Sequence, residues 1–273
     1  MARPYRDSLS WTRTLLLVAV AGLLAYCIFI AYSHPAAAGE TPSRLPSAKA
    51  LMEVKGADGI RITYDNFEVN FNPELHIPNF VAWELTSAET QGTEKRPKFT
   101  SDPNVEGCAE SRDYTGSGYD RGHMAPAADM TFSPEAMSQC FLMTNIAPQS
   151  HSLNSGTWKK LEEKCRTWAR IDSAIIIICG PVLTPAPSSF IGKNQVAVPH
   201  AFFKVILSPF ANPPRAIGFI MPNRRVAGGL QATAVSVDSV EAATGLDFFS
   251  ALPDSLENII EAQNRFNYWS TLK

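Results

Sequence analysis

The sequence predicts an α+β fold, with a mixed or antiparallel central sheet flanked by helices and preceded by an N-terminal hydrophobic helix. Three observations lead there. Apolar or alternating runs of strand type recur at residues 59–64, 80–85, 174–179, 202–207 and 216–220. Helical stretches are expected between and after them, at 134–138, 155–171, 239–244 and 256–268. The run Ile175-Ile176-Ile177-Ile178 is too continuous for a strand with one wet face, so it should be central and covered on both sides.

The elements follow in order. Arg3, Arg6 and Arg13 precede an apolar run of 18 residues from Leu15 to Tyr32, and that positive flank should stay in the cytoplasm while the rest is exported. The run is marginal for a spanning helix and long for a signal-peptide core, and Ala36-Ala37-Ala38 before Gly39 would serve as a cleavage site. Residues 1–38 therefore read as a signal anchor held in the inner membrane or as a cleaved signal peptide. Residues 39–53 read as a Pro/Ser-rich tether, and 54–273 as one domain, since no later linker is long enough to divide it. With 45% hydrophobic residues the chain can bury a large core.

The segment Asp120-Arg121-Gly122-His123-Met124-Ala125-Pro126 places a carboxylate, a guanidinium and an imidazole within four residues, with a glycine expected to let the backbone turn between them. Such groups are costly to cluster unless something anionic or metallic binds there. A phosphate ester is the first substrate class to consider. A second constellation lies downstream: Asn145-Ile146-Ala147-Pro148-Gln149, then Asn154, Trp158, Glu162 and Arg166. From Asn154 the spacing is i, i+4, i+8 and i+12, so on a helix these four drift through one sector of about 120°. Ser152 and Asn154 are capping types, and Trp158 and Leu161 would seat the helix. An amide oxygen and a carboxylate on one face suit a hard cation that keeps most of its water, as Mg²⁺ does. The plainer alternative is an amphipathic helix with Glu162 and Arg166 as an exposed pair.

Taken together, Tyr119-Asp120-Arg121-Gly122-His123-Met124-Ala125-Pro126, Asn145-x-x-Pro148-Gln149, Asn154-x-Gly156-x-Trp158 and Leu161-Glu162 resemble the DNA/RNA non-specific endonucleases. The resemblance extends in one order from about residue 55 to 255, through Asn79 to Leu85, Arg96 to Asp102-Pro103, Val198 to Lys204, Phe219 to Asn223 and Ser236 to Phe248. It implies a ββα-metal active site that hydrolyses DNA and RNA to 5′-phosphate and 3′-hydroxyl ends. By the same resemblance His123 would be the general base, Asn154 the one direct protein ligand of a single Mg²⁺ with Mn²⁺ able to substitute, and Glu162 a partner of that ion through its waters. Arg121, Arg96 and Arg166 would contact the scissile phosphate, and Asn145 would help order the site. Asp120 reads as a structural partner rather than a ligand. Arg96 sits six residues before Asp102, a spacing that leaves Lys95 and Lys98 as alternatives to it. His151 reads as a neutral loop histidine rather than a ligand.

Charge and cysteines bound the rest. The chain carries a net charge of −2, and its first 38 residues hold three arginines and one aspartate, so the remainder is more negative still. Tight general binding of nucleic acid would prefer a basic excess. Cations should then be confined to a stripe including Lys95, Arg96, Lys98, Arg121, Lys159, Lys160 and Arg166, giving weak and salt-sensitive binding. Cys108, Cys140, Cys165 and Cys179 permit three pairings or none, with Cys140 and Cys179 in apolar runs that would equally hold buried thiols. No spacing suggests zinc. A phosphodiesterase or pyrophosphatase acting on small nucleotide esters through the same site, and a non-catalytic envelope binding protein, are the competing functions. A homodimer, common among relatives, is not legible either way.

Overall fold

The computed structural model describes residues 45–272. The expected N-terminal hydrophobic helix at 15–32 and its cleavage site lie outside the described residues, and within them no helix is long and apolar enough to cross a membrane. The last part of the stretch read as a tether is ordered: Ser47 caps a short helix α1 (Ala48–Leu51), whose Leu51 is buried against the sheet.

Seven strands form one antiparallel sheet. In spatial order they are β1 (Ile60–Thr63), β2 (Glu68–Asn72), β3 (Ile77–Thr86), β6 (Ala174–Val182), β9 (Ala201–Ser208), β10 (Arg215–Pro222) and β11 (Ala234–Val235). The order is sequential, so the chain meanders across the sheet and leaves it for two excursions. The first excursion, between β3 and β6, carries a hairpin of β4 (Tyr119–His123) and β5 (Ile146–Ser150). Helix α2 (Pro134–Cys140) lies between those two strands, and α3 (Lys159–Asp172) returns the chain to β6. The second excursion is a small hairpin of β7 (Phe190–Ile191) and β8 (Val196–Ala197). Helices α4 (Val237–Thr244), α5 (Asp254–Glu261) and α6 (Phe266–Thr271) follow β11.

The isoleucine run is covered on both faces, as its continuity predicts. Ile175 and Ile177 join a core with Trp83, Trp158, Leu161, Cys165 and Trp168, beneath α3 and the β4–β5 hairpin. Ile176 and Ile178 join the other core, with Phe203, Val205, Val237, Val240, Phe248 and Ile260, beneath α1, α4 and α5. Strand alternation sends successive side chains to opposite faces, so a run with no polar residue must have two apolar covers.

Three local expectations are corrected. The stretch 256–268 is two helices, because the chain breaks at Arg265 (φ −108°, ψ 54°) and Asn264 donates its side-chain amide to the Ala234 carbonyl at 2.9 Å. The α-helix expected from Ser155 begins only at Lys159, and residues 153–158 wind as a π-helix with non-helical dihedrals at Gly156 (φ −104°, ψ −111°). Neither Ser152 nor Asn154 caps it: Ser152 makes no capping bond, and the Asn154 amide is engaged elsewhere. The four cysteines are free thiols. Cys140, Cys165 and Cys179 are buried among apolar side chains of the first core, where a thiol packs as a small hydrophobe.

Candidate active site

The site is built on the β4–β5 hairpin and the helix that follows it. The pairing is Asp120 with Gln149, Arg121 with Pro148, Gly122 with Ala147 and His123 with Ile146. Gly122 sits in mid-strand, so it does not turn the chain between the charged residues. It makes room instead: a Cβ there would lie 2.3 Å from Gln149 Oε1, and Gln149 is fully buried.

The hairpin is pinned from within by Asn145. Its side-chain amide donates to the carbonyls of Ala125 (2.9 Å) and Cys140 (2.8 Å), and its Oδ1 accepts from the Ala125 amide (2.9 Å). All of this is buried, so Asn145 orders the backbone that follows His123 without reaching solvent. His123 ends β4 with its ring packed between Phe99 (centroids 5.1 Å apart) and Phe141 (4.7 Å, edge-on). Its Nε2 is buried with no hydrogen-bond partner among the described residues. Burial, with the positive charge of Arg96 added to it, pushes the imidazole down to about 3, so the ring is neutral at any working pH. The sequence alone suggests an ordinary value near neutrality; the two phenylalanines and Arg96 are what displace it.

A cleft of about 250 Å³ opens beside His123, and Arg96, Asn154, Lys159, Glu162 and Arg166 line it as well. Asn154 stands on the π-turn, and Asp120 accepts its side-chain N–H at 2.9 Å. That bond assigns the amide: Nδ2 faces Asp120 and Oδ1 is left free to accept. Asp120 Oδ2 also meets His151 Nδ1 at 2.9 Å, so the histidine is a surface partner of Asp120 and does not line the cleft. Glu162 projects from the first turn of α3 and makes no hydrogen bond among the described residues. Burial pushes its carboxyl up to about 7, against the opposing pull of Lys204 and Arg166.

Arg166 does not pair with Glu162. It donates to Asp129 at 2.8 Å, and the buried Asp129 also accepts from Trp83 Nε1 at 3.3 Å. The exposed Glu162–Arg166 pair is thereby replaced by a guanidinium held from below at the wall of the cleft. Arg121 is absent from that wall. Its guanidinium is bound to the carbonyl and hydroxyl of Ser111, and it lies over Phe99 (5.7 Å) and Tyr114 (5.6 Å). The same Phe99 ring packs against His123. Lys95 and Lys98 are exposed beside Arg96 and do not line the cleft.

Sequence reasoning passes over Asp129 and Lys204. Lys204 is fully buried, its ammonium 4.5 Å from the Trp158 ring centroid and 5.0 Å from that of Trp83, with no hydrogen-bond partner among the described residues. Burial pulls its pKa down, but Cys179, Cys165, Glu162 and Asp129 outweigh that and raise it. It is a fixed cation under the carboxylates of the site. The signal was available: Lys204 is the one charge in the otherwise uncharged strand Ala201–Ser208.

The donor set fits a hydrated divalent ion. It offers one amide oxygen oriented by a carboxylate and one carboxylate without a hydrogen-bond partner, in a cleft open to water.

Residues 48–255 match the family described as DNA/RNA non-specific endonuclease. The chain belongs to that family. Relatives of this nuclease-family chain include the mitochondrial nuclease EXOG of Mus musculus, 35% identical over 211 residues that cover 70% of this chain and 57% of the mouse protein. A protein named Nuclease from Nostoc sp. is 31% identical over 231 residues, covering 76% of this chain and 82% of the relative. The mitochondrial endonuclease G of Homo sapiens is 32% identical over 200 residues, covering 67% of each. This chain therefore spans less than two thirds of the mouse relative's length. Among solved structures, one of the EndoG/EndoGI complex superposes with a TM-score of 0.68 at 26% identity, over 77% of this chain and 95% of that one. The family is one of hydrolytic endonucleases.

Proposed function

We propose that this chain is a divalent-metal-dependent, sugar-non-specific endonuclease that hydrolyses DNA and RNA to 5′-phosphate and 3′-hydroxyl ends. The observation that carries the reading is the single cleft. It collects a neutral histidine, an oriented amide oxygen, an unbonded carboxylate and three cations from separate elements.

Asn154 would hold the ion directly and Glu162 would hold it through water, with Mg²⁺ the expected ion and Mn²⁺ able to substitute. When bound, such an ion polarises a phosphate oxygen and stabilises charge on the departing 3′ oxygen. Arg96, Lys159 and Arg166 attract the phosphate and neutralise charge building on its oxygens. His123 takes a proton from a water whose oxygen attacks phosphorus as the P–O3′ bond breaks. An imidazole held at about 3 is a weak base, but a phosphate anion bound beside it offsets the Arg96 charge and favours the protonated ring, which raises that value. Arg121, held by Ser111 over the Phe99 ring, acts at the margin of the site, and Asn145 orders the backbone that follows His123. Export, with the catalytic domain outside the inner membrane and either anchored or released, belongs to the same proposal and rests on residues 1–38 of the sequence.

The test is Mg²⁺-dependent digestion of plasmid DNA and of RNA by the full chain, beside His123→Ala. Both polymers should be cut, and His123→Ala should lose at least about a hundredfold in rate with binding largely kept. Inert polymers beside an active small nucleotide diester would replace this reading with the phosphodiesterase alternative.

A further inference from the structure

On the sheet face opposite the cleft, α4 and α5 bring three carboxylates together. Asp238 lies in the first turn of α4, Glu241 one turn later on the same side, and Glu261 ends α5. One carboxylate oxygen from each lies within 4.8 Å of the other two. Asp238 is exposed, Glu241 partly buried, and Glu261 only 5% exposed. Oε1 of Glu261 is buried with no hydrogen-bond partner among the described residues. Glu241 uses one oxygen to accept from the Phe248 amide at 2.9 Å, leaving the other free. The described residues supply no salt bridge to any of the three, and the nearby Lys55 is paired with Asp247 at 3.5 Å.

A buried carboxylate oxygen without a donor, on a side chain gathered with two further carboxylates, is unfavourable unless a proton or cation joins it. We infer that Asp238, Glu241 and Glu261 form a divalent-cation site of calcium type that clamps α5 to α4. All donors are hard oxygens, which excludes softer metals as first choice. The donor chemistry favours the larger ion: Ca²⁺ accepts several carboxylates in flexible geometry, whereas Mg²⁺ demands a near-regular octahedron and keeps most of its water. Exposed Asp238 leaves positions for water, completing the six to eight oxygens such an ion takes. The clamp would secure the C-terminal segment, whose Trp269 carbonyl accepts from Trp168 Nε1 at 3.0 Å on the catalytic helix α3.

The experiment is calcium titration of the full chain, freed of divalent ions by chelation, in an Asn154→Ala, Glu162→Gln background that silences the cleft. Calorimetry should find one Ca²⁺ per chain, and Ca²⁺ at about a hundredfold excess over its Kd should raise Tm by several degrees. Adding Asp238→Asn and Glu241→Gln, both outside the buried core, should abolish binding and shift alike. In the otherwise native chain the same two substitutions should leave Mg²⁺-dependent nuclease activity unchanged. Absence of Ca²⁺ binding in the silenced background would overturn the site, as would a shift that survives those two substitutions. An equal shift from Mg²⁺ at the same concentration would overturn the calcium assignment.

Discussion

Asp120 shows how a residue outside the chemistry can determine whether the chemistry is available. Its carboxylate fixes the Asn154 amide, and an amide free to rotate would offer nitrogen as readily as oxygen. Asp120→Ala should therefore raise the Mg²⁺ concentration for half-maximal activity by about 10- to 100-fold, measured by metal titration at saturating DNA, with a smaller effect on rate at saturating metal. Glu162 gives a prediction of opposite sign for stability. Its carboxyl rises from 4.5 to about 7 on folding, so the folded state binds the proton more tightly than the unfolded chain. Stability is then lost as pH rises from about 4.5 to 7 and stays lower above that. In chelator, Glu162→Gln should raise Tm at pH 8 and leave it nearly unchanged at pH 4.5, as thermal unfolding at the two pH values would show. An enzyme that stores a costly carboxylate for a cation trades stability for function.

At the scale of elements, the hairpin and the π-turn decide the site. Asp120 to His123 carry none of the β-branched residues that mark strands, and Pro148 stands in the partner strand. β4 and β5 were therefore invisible to patterning, and only pairing between residues 23 to 31 apart in the chain reveals them. Their tight contact makes Gly122 a packing residue. Gly122→Ala should destabilise the protein by about 1–3 kcal/mol in urea unfolding, because the buried Gln149 side chain has nowhere to go. Adding Gln149→Ala should recover much of that loss, since the clash partner is removed. The helix was legible in its apolar seam, Trp158, Leu161, Cys165 and Trp168, but not in its start. A regular α-helical phase from Asn154 was the reasonable expectation. The wider π-turn resets that phase, and such turns recur at functional sites.

The whole molecule combines an acidic net charge with a small cationic wall. Only Arg96, Lys159 and Arg166 of the expected stripe line the cleft. Three phosphate contacts correspond to a slope of about −3 in log affinity against log salt for duplex DNA. Binding of a short duplex by His123→Ala, followed by fluorescence anisotropy from low to physiological salt, should give that shallow slope; a slope twice as steep would mean that cations beyond the cleft hold the nucleic acid. Weak holding suits a hydrolase that must release both products.

Local sequence was enough for five of the seven strands of the large sheet, including the doubly covered run Ile175 to Ile178, because burial patterning is carried by the residues themselves. His123, Asn154, Glu162, Arg96 and Arg166, which line one cleft, were reached through the resemblance of the combined motifs to the nuclease family, and the spacing alone did not separate Arg96 from Lys95 and Lys98. Tertiary structure alone decided the rest: that Arg166 leans on Asp129, that Arg121 is tied to Ser111 over Phe99, that Asp120 aims Asn154, and that Lys204 lies as a buried cation near them. Each of those is a contact between segments far apart in the chain. Orientation, desolvation and pairing are properties of such contacts, and no single stretch of sequence contains both partners.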